Sequence, residues 1–459
     1  MERLSGLDAG FFFAESENTP LHIASVTVFE GPAPTYGEVI RAVLAKLPQV
    51  PRYRQRIRTV PLHLGRPIWV DDPHFNILYH VRHTAVPAPG GPEQLRNLAG
   101  RVLSQRLDTT KPLWEIWLVE GLSEGRWALI TKVHHCVVDG VGGVDLMTTL
   151  FDLSPDAERP EVGELPEPEP QPSSVAVLAD TARIAVAEPV KQIAAIPQAA
   201  RRLMSTSTLR SLGVGAPTAI GRLARSTAGS LNGPIGPHRR WMWIHADLDE
   251  IRAVRKTFGG TVNDVILTAV AGGFRELLAG RGELEDGTRV RTLVPVSVRA
   301  EKERGELANK VSGVLVNLPA GEEDPRRRLF KVRSQMNDVK RTHQAAGGET
   351  LAKLAGFAPT LMALGSRYAL SHSQPLVQTV VTNVPGPPFP LYVLGRKLVG
   401  LYPFVPLAAG LRVGIAIFSY EGRLSFGLTG DFDGMSDLEV LANGIRSALD
   451  ELVELAAEG

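Results

Sequence analysis

The chain has 459 residues, 44% of them hydrophobic and 22% charged, with a formal net charge of +1 at pH 7. That length exceeds a single compact core and predicts two domains of ordinary size. The near-neutral balance removes any global argument for nucleic acid or a strongly acidic partner, and a single cysteine, Cys136, excludes an intramolecular disulfide.

The first residues, Met1-Glu2-Arg3-Leu4-Ser5-Gly6, lack the basic start, apolar run and small-residue cleavage site of a signal peptide. His22 to Phe29 is rich in β-branched residues and predicts a strand, and Tyr36 to Leu47 has helical spacing. Trp127 to His134 predicts a strand and Gly143 to Leu153 a helix. After Leu153 six prolines from Pro155 to Pro172 alternate with acidic residues, the composition of an extended, solvated linker. At about 3 Å per residue it spans on the order of 50 Å, enough to cross the face of a domain. Ser174 to Met204 is Ala-rich with a helical tendency, and Ser205 to Pro237 is loose again.

Order resumes at Trp241. Trp241 to Ala246 predicts a strand, and Leu248 to Phe258 and Val262 to Leu278 predict helices. Arg289 to Val298, Lys310 to Leu318 and Leu376 to Asn383 are strand-like, and Leu411 to Tyr420 with Arg423 to Thr429 forms a hairpin turning at Glu421-Gly422. Asp437 to Leu455 closes the chain as a helix. Val399 to Tyr420 comes nearest to a membrane span, but Pro403, Pro406 and Arg412 favour a buried sheet segment. The expectation is an α/β (α+β type) fold divided into residues 1–154, a connector at 155–238, and 239–459. A cytoplasmic location is expected, with attachment to a membrane surface left open.

The chemistry concentrates in His134-His135-Cys136-Val137-Val138-Asp139-Gly140, at the end of a predicted strand. On a strand His134 and His135 face opposite ways, so they are poor joint ligands for one metal ion, and no metal site is expected. Cys136 follows His135 directly, and their side chains diverge; Cys136 reads as a small packing residue rather than a nucleophile. What remains is a lone imidazole base, with pKa near about 6.5, able to take a proton from a hydroxyl and return it to a leaving group. His134, a backbone carbonyl or the Asp139-Gly140 turn would orient it. Asp139 is either a triad-like orienting acid or one member of a structural ion pair.

Further along, Thr261-x-x-Asp264 has the form of a helix start. Asn263 would sit at the positive end of that helix, either as part of the cap or as a donor to a developing oxyanion. Arg52, Arg54, Arg56 and Arg58 form a basic row that reads as a solvated face, with contact to CoA phosphates or anionic lipid as the alternative.

The stretch from His134 to Gly140 resembles the HHxxxDG motif of the CoA-dependent acyltransferase superfamily. Four further stretches resemble the bacterial wax ester synthase/diacylglycerol acyltransferase family within it. They are Leu4 to Ala9 with Pro20-Leu21-His22, Pro112-Leu113-Trp114, Asn263-Asp264-Val265-Ile266-Leu267, and Thr382 to Pro387. Their order along nearly the whole chain makes the likeness specific. It implies two chloramphenicol-acetyltransferase-like domains with a tunnel between them. It also implies that His135 deprotonates the hydroxyl of a diacylglycerol or long-chain fatty alcohol, which then attacks the thioester of acyl-CoA. Acyl-CoA is a co-substrate, no cofactor is expected, and no CoA-binding residue is assigned. The likeness favours the structural role for Asp139, with Arg299 as its partner, and places His134, Gly140 and Asn263 beside the base. Pro112-Leu113-Trp114 reads as packing near the site, and Asn383 to Pro387 as a turn or as tunnel lining. The competing readings are an acyltransferase for another hydroxylated lipid, of the polyketide-associated type, and a non-catalytic lipid-binding relative. Peripheral contact with a membrane or lipid inclusion stays open.

Overall fold

The computed structural model describes residues 1–61, 64–138, 149–158, 161–184, 229–297, 311–346 and 377–458. Chain order in the first part is α1 (Gly6–Ala14), β1 (His22–Phe29), α2 (Tyr36–Lys46), β2 (Gln55–Arg58), β3 (Ile68–Asp71), α3 (Ile77–His80) and β4 (Val81–Ala85), followed by α4 (Pro92–Ser104), β5 (Trp114–Glu120), β6 (Trp127–His134) and α5 (His135–Val138). The second part holds β7 (Arg239–Asp247), α6 (Leu248–Phe258), α7 (Val262–Gly280), β8 (Val290–Ser297), β9 (Val311–Leu318) and α8 (Pro325–Ala346). It continues with β10 (Thr379–Pro385), β11 (Tyr392–Val393), β12 (Arg396–Phe404), β13 (Val413–Tyr420), β14 (Arg423–Asp431) and α9 (Leu438–Ala457).

Among the described residues these strands make two six-stranded sheets and a two-stranded ribbon. The first sheet runs β11-β12-β1-β6-β5-β4, the second β7-β14-β13-β10-β8-β9, and β2 pairs with β3. The mixed α/β class expected from the sequence is present, and several predicted elements match residue for residue, among them β1, β6 and α6. The predicted hairpin joins β13 to β14. Both turn residues have positive φ, 46° at Glu421 and 80° at Gly422, the geometry that suits a right-twisted pair.

The expected division into 1–154, 155–238 and 239–459 follows chain order, whereas the sheets cross it. β12 leaves the second half of the chain and pairs antiparallel with β1, from Ala24 opposite Phe404 to Phe29 opposite Leu398. Strand pairing is decided by matching ladders and buried faces, so a distant segment joins as readily as a near one. This crossover also stitches the two sheets together. The Pro403 carbonyl of β12 accepts Trp241 Nε1 of β7 at 3.2 Å, and Trp243 stacks on Tyr402 at 4.4 Å. A Cβ on Gly427 of β14 would fall 1.8 Å from that same carbonyl, so only glycine permits the approach.

Part of the segment read as a connector is held in place. Arg54 donates to Pro166 O at 2.8 Å, Arg56 to Gln171 Oε1 at 3.1 Å, and Arg58 to Pro172 O and Ser174 Oγ. The Glu169 amide donates to Asp71 of β3. Residues 174–184 are helical, and Val177 is fully buried against Val60, Ile68 and Val70. Arg54, Arg56 and Arg58 are therefore occupied by the chain's own Pro-rich segment, whose carbonyls accept from two of them, whereas Arg52 pairs with Glu2 and Gln55.

Candidate active site

The two adjacent histidines sit where β6 becomes α5. The His134 amide donates to Leu113 O and the His135 amide to Leu21 O, both at 3.0 Å. The histidine pair thus hangs between the two stretches that the sequence marked, Pro112-Leu113-Trp114 and Pro20-Leu21-His22. Leu113 and Trp114 are buried, and Trp114 Nε1 donates to Tyr53 O at 2.7 Å, as expected of a packing element.

His134 is fully buried. Its Nδ1 accepts the Cys136 amide at 3.2 Å, which places the ring proton on Nε2. Burial, then the neighbouring His135 and Arg106, pushes its pKa down to about 3, so the ring is neutral. Cys136 Sγ lies 2.8 Å from the same Nδ1. The sequence set the Cys136 and His135 side chains apart; the structure brings Cys136 to His134, because the turn into α5 puts residues two apart on one side. Burial, then Asp8 and Glu15, pushes the Cys136 thiol well up, which is the setting of a packing residue rather than a nucleophile.

His135 is only half-buried. Its ring stacks on Phe11 of α1, with centroids 4.1 Å apart and planes inclined by 23°. Phe12 meets His134 edge-on at 6.3 Å. Ser5 caps α1 by accepting from the Asp8 amide, so the Leu4 to Ala9 stretch is the start of the helix that supports the His135 ring. Glu15, just past the end of α1, has its carboxylate against Arg106 at 3.0 Å, the Leu21 amide at 3.2 Å and His134 Nε2 at 3.9 Å.

Asn263 stands in the first turn of α7. Thr261 and Asp264 form the reciprocal cap anticipated for them: the Asp264 amide donates to Thr261 Oγ1 and the Thr261 amide to Asp264 Oδ2. Asn263 is therefore not the cap. Its Oδ1 accepts Asn383 Nδ2 at 3.4 Å, which joins two marked stretches 120 residues apart. Asn383 lies opposite Ile417 in the β10–β13 pairing, with Val384 opposite Phe418. Phe418 and Tyr420 pack in the same apolar cluster as Cys136 and Val137, which connects this corner to the histidines. Asp139, Gly140 and Arg299 lie outside the described residues, as does most of the Gly143 to Leu153 segment.

Residues 4–266 match the family model of the wax ester synthase/diacylglycerol acyltransferase catalytic domain, and 307–453 that of the WS/DGAT C-terminal domain. The chain belongs to the wax ester synthase/diacylglycerol acyltransferase family. A protein of Mycobacterium tuberculosis strain H37Rv, described as a probable diacylglycerol O-acyltransferase, is 36% identical over 462 residues, covering 99% of this chain and 96% of that one. The solved wax ester synthase/diacylglycerol acyltransferase of Marinobacter aquaeolei VT8 superposes with a TM-score of 0.73 at 26% identity, over 100% of both chains. The first condensation domain of the CDA synthetase shares the fold alone, with a TM-score of 0.55 at 14% identity over 99% of this chain and 96% of that one.

In this WS/DGAT chain the sequence reading missed Phe11, Glu15 and Arg106. Phe11 lies on α1 and Glu15 is the residue that ends it, four positions on, so a helix over Gly6–Ala14 would have pointed to Phe11 and to the helix end. Nothing local to Arg106 marks it. No helix among the described residues is long and apolar enough to cross a membrane.

Proposed function

We propose that this acyltransferase moves an acyl group from acyl-CoA to the hydroxyl of a diacylglycerol or a long-chain alcohol, giving triacylglycerol or wax ester, with His135 as general base. The observation that carries the assignment is the contrast between the two histidines. His134 is sealed and neutral, whereas His135 is half-buried and held by a backbone hydrogen bond and an aromatic face. Family membership supports the reaction, and the names of the relatives support diacylglycerol as acceptor.

In this reading His135 takes the hydroxyl proton as the oxygen attacks the thioester carbonyl. The tetrahedral oxyanion collapses, the C–S bond breaks, and the CoA sulfur leaves with the proton from His135. Both substrates react directly, so much of the rate gain comes from positioning. Asn263 donates its amide to the oxyanion; the orientation of that amide, with Oδ1 turned to Asn383, supports the role. The enzyme meets its lipids by peripheral contact with a membrane or inclusion surface.

The test is purified protein with palmitoyl-CoA and either dioleoylglycerol or hexadecanol, following thiol release and ester formed. Wild type should form at least one ester and His135→Ala neither, with the fold intact by circular dichroism. Turnover retained by His135→Ala would overturn the base assignment. Thiol release without either ester would point to another acceptor.

A further inference from the structure

His22 is fully buried, and neither of its ring nitrogens makes a hydrogen bond of good geometry among the described residues, although the Leu103 backbone acts on its pKa as a weak hydrogen-bond partner. Nothing in the acyl-transfer chemistry uses it. A buried polar atom without a well-placed partner costs stability, so a plain packing role would be served better by phenylalanine. The site would even favour one: His22 stacks on Phe404 with centroids 5.6 Å apart and planes 14° apart. A stability cost retained at such a place is a mark of function.

The strand register says what His22 faces. His22 lies directly opposite His134 in the β1–β6 pairing. Because the bond beside them runs from the His135 amide to Leu21 O, this is a non-hydrogen-bonded pair. Side chains at such a pair are close neighbours, with Cβ atoms about 4.5–5.5 Å apart. His134 Nε2 is likewise buried without a hydrogen-bond partner, and Glu15 Oε1, at 3.9 Å, is beyond direct hydrogen-bond reach. Register thus sets the two imidazoles side by side, and the Glu15 carboxylate lies against the second of them, all three side chains buried behind His135. Two to four polar partners in a sealed space are the setting in which proteins hold a buried water. Burial, then Lys132 and His134, keeps His22 well below the usual histidine range, so it is neutral and able both to accept and to donate.

We propose that His22 binds a water molecule shared with His134 Nε2 and Glu15, and through it positions the turn that carries His135. The mechanical link is short. A fixed His134 ring holds the Cys136 amide on Nδ1, and Cys136 is the second residue of the helix that begins at His135. His22 is therefore a positioning residue that never touches substrate. The kinetic part of its test rests on the acyl-transfer reading.

The experiment compares wild type, His22→Phe and His22→Gln for kcat and KM by thiol release from palmitoyl-CoA, with thermal melts alongside. His22→Phe should melt at or above the wild-type temperature and keep KM, yet lose kcat by about tenfold or more, the scale of a base displaced by a fraction of an ångström. His22→Gln, whose amide can hold the water, should recover most of the loss. Unchanged kcat in His22→Phe would overturn the proposal and leave His22 as packing. A crystal structure of the wild type should show the water within hydrogen-bond distance of His22 and His134; a dry site there overturns the proposal even if both variants misfold or wild type turns over neither acceptor. That last result would instead count against the acyl-transfer reading.

Discussion

Phe11 lies nearly flat on the imidazole of His135, its centroid 4.1 Å away, so the helix at the start of the chain supports a side chain more than 120 residues further on. Such contacts are worth about 0.5–1.5 kcal/mol beyond the area they bury. Phe11→Ala should lower kcat by roughly tenfold by loosening the His135 ring, while Phe11→Tyr keeps most of the rate. Steady-state kinetics on the two variants decides it; equal rates for wild type and Phe11→Ala would mean that the backbone bond to Leu21 alone orients His135.

Acid should weaken the fold earlier than carboxylate titration requires. Burial pushes His134 down to about 3, His80 down to about 4 and His22 well down, all below the unfolded value near 6.5. The unfolded chain binds these protons and the folded chain does not. Stability is therefore full above about pH 6.5 and falls with pH through the window between the unfolded and folded values, each residue contributing up to about 1.4 kcal/mol per pH unit. Urea melts at pH 7.5, 6.0 and 5.0 should show a flat upper range and a steep loss below 6. A constant midpoint down to pH 5 would contradict the buried neutral state of these rings.

Removal of Asn263 should cost catalysis and spare stability. The Thr261–Asp264 cap survives its loss, so Asn263→Ala should keep its melting temperature while kcat falls by about a hundredfold. Thr261→Ala should do the reverse, costing about 1 kcal/mol of stability. Asn383→Ala acts through Asn263, so the double variant should lose less than the sum of the two singles. Strict additivity in that cycle would separate the two residues.

The basic row should matter to the chain rather than to CoA. With Arg54→Ala and Arg58→Ala together, the segment around Pro166 to Ser174 loses its side-chain anchors. A Glu-specific protease should then cut at Glu167 or Glu169 about tenfold faster, because local opening governs cleavage. KM for acyl-CoA should stay where it was. A rise in KM with unchanged cleavage would restore the phosphate-binding reading of the row.

Much of the fold was legible because burial writes itself into local pattern. Trp127 to His134, His22 to Phe29 and Leu248 to Phe258 match their elements to the residue, and the Thr261 and Asp264 cap was readable from spacing alone. Segments whose order depends on distant partners were not. Pro92–Ser104, Trp114–Glu120 and Arg396–Phe404 passed without notice, the last being recognised only as part of a buried sheet stretch.

By itself, then, the sequence determined the reaction class and the stretches that surround the histidine pair, since two histidines at a strand end and an ordered set of motifs are properties of the chain read in one dimension. Tertiary structure decided which of those stretches meet. It put Leu21 and Leu113 on consecutive amides of the histidine pair, Asn383 on Asn263, and β12 against β1. It also brought Cys136, whose side chain the sequence set apart from His135, onto His134, and set Phe11 and His22 around the pair. The physical reason is that hydrogen-bond register and side-chain contact are fixed by the packing of segments far apart in the chain, and local periodicity carries no record of which distant segment will arrive.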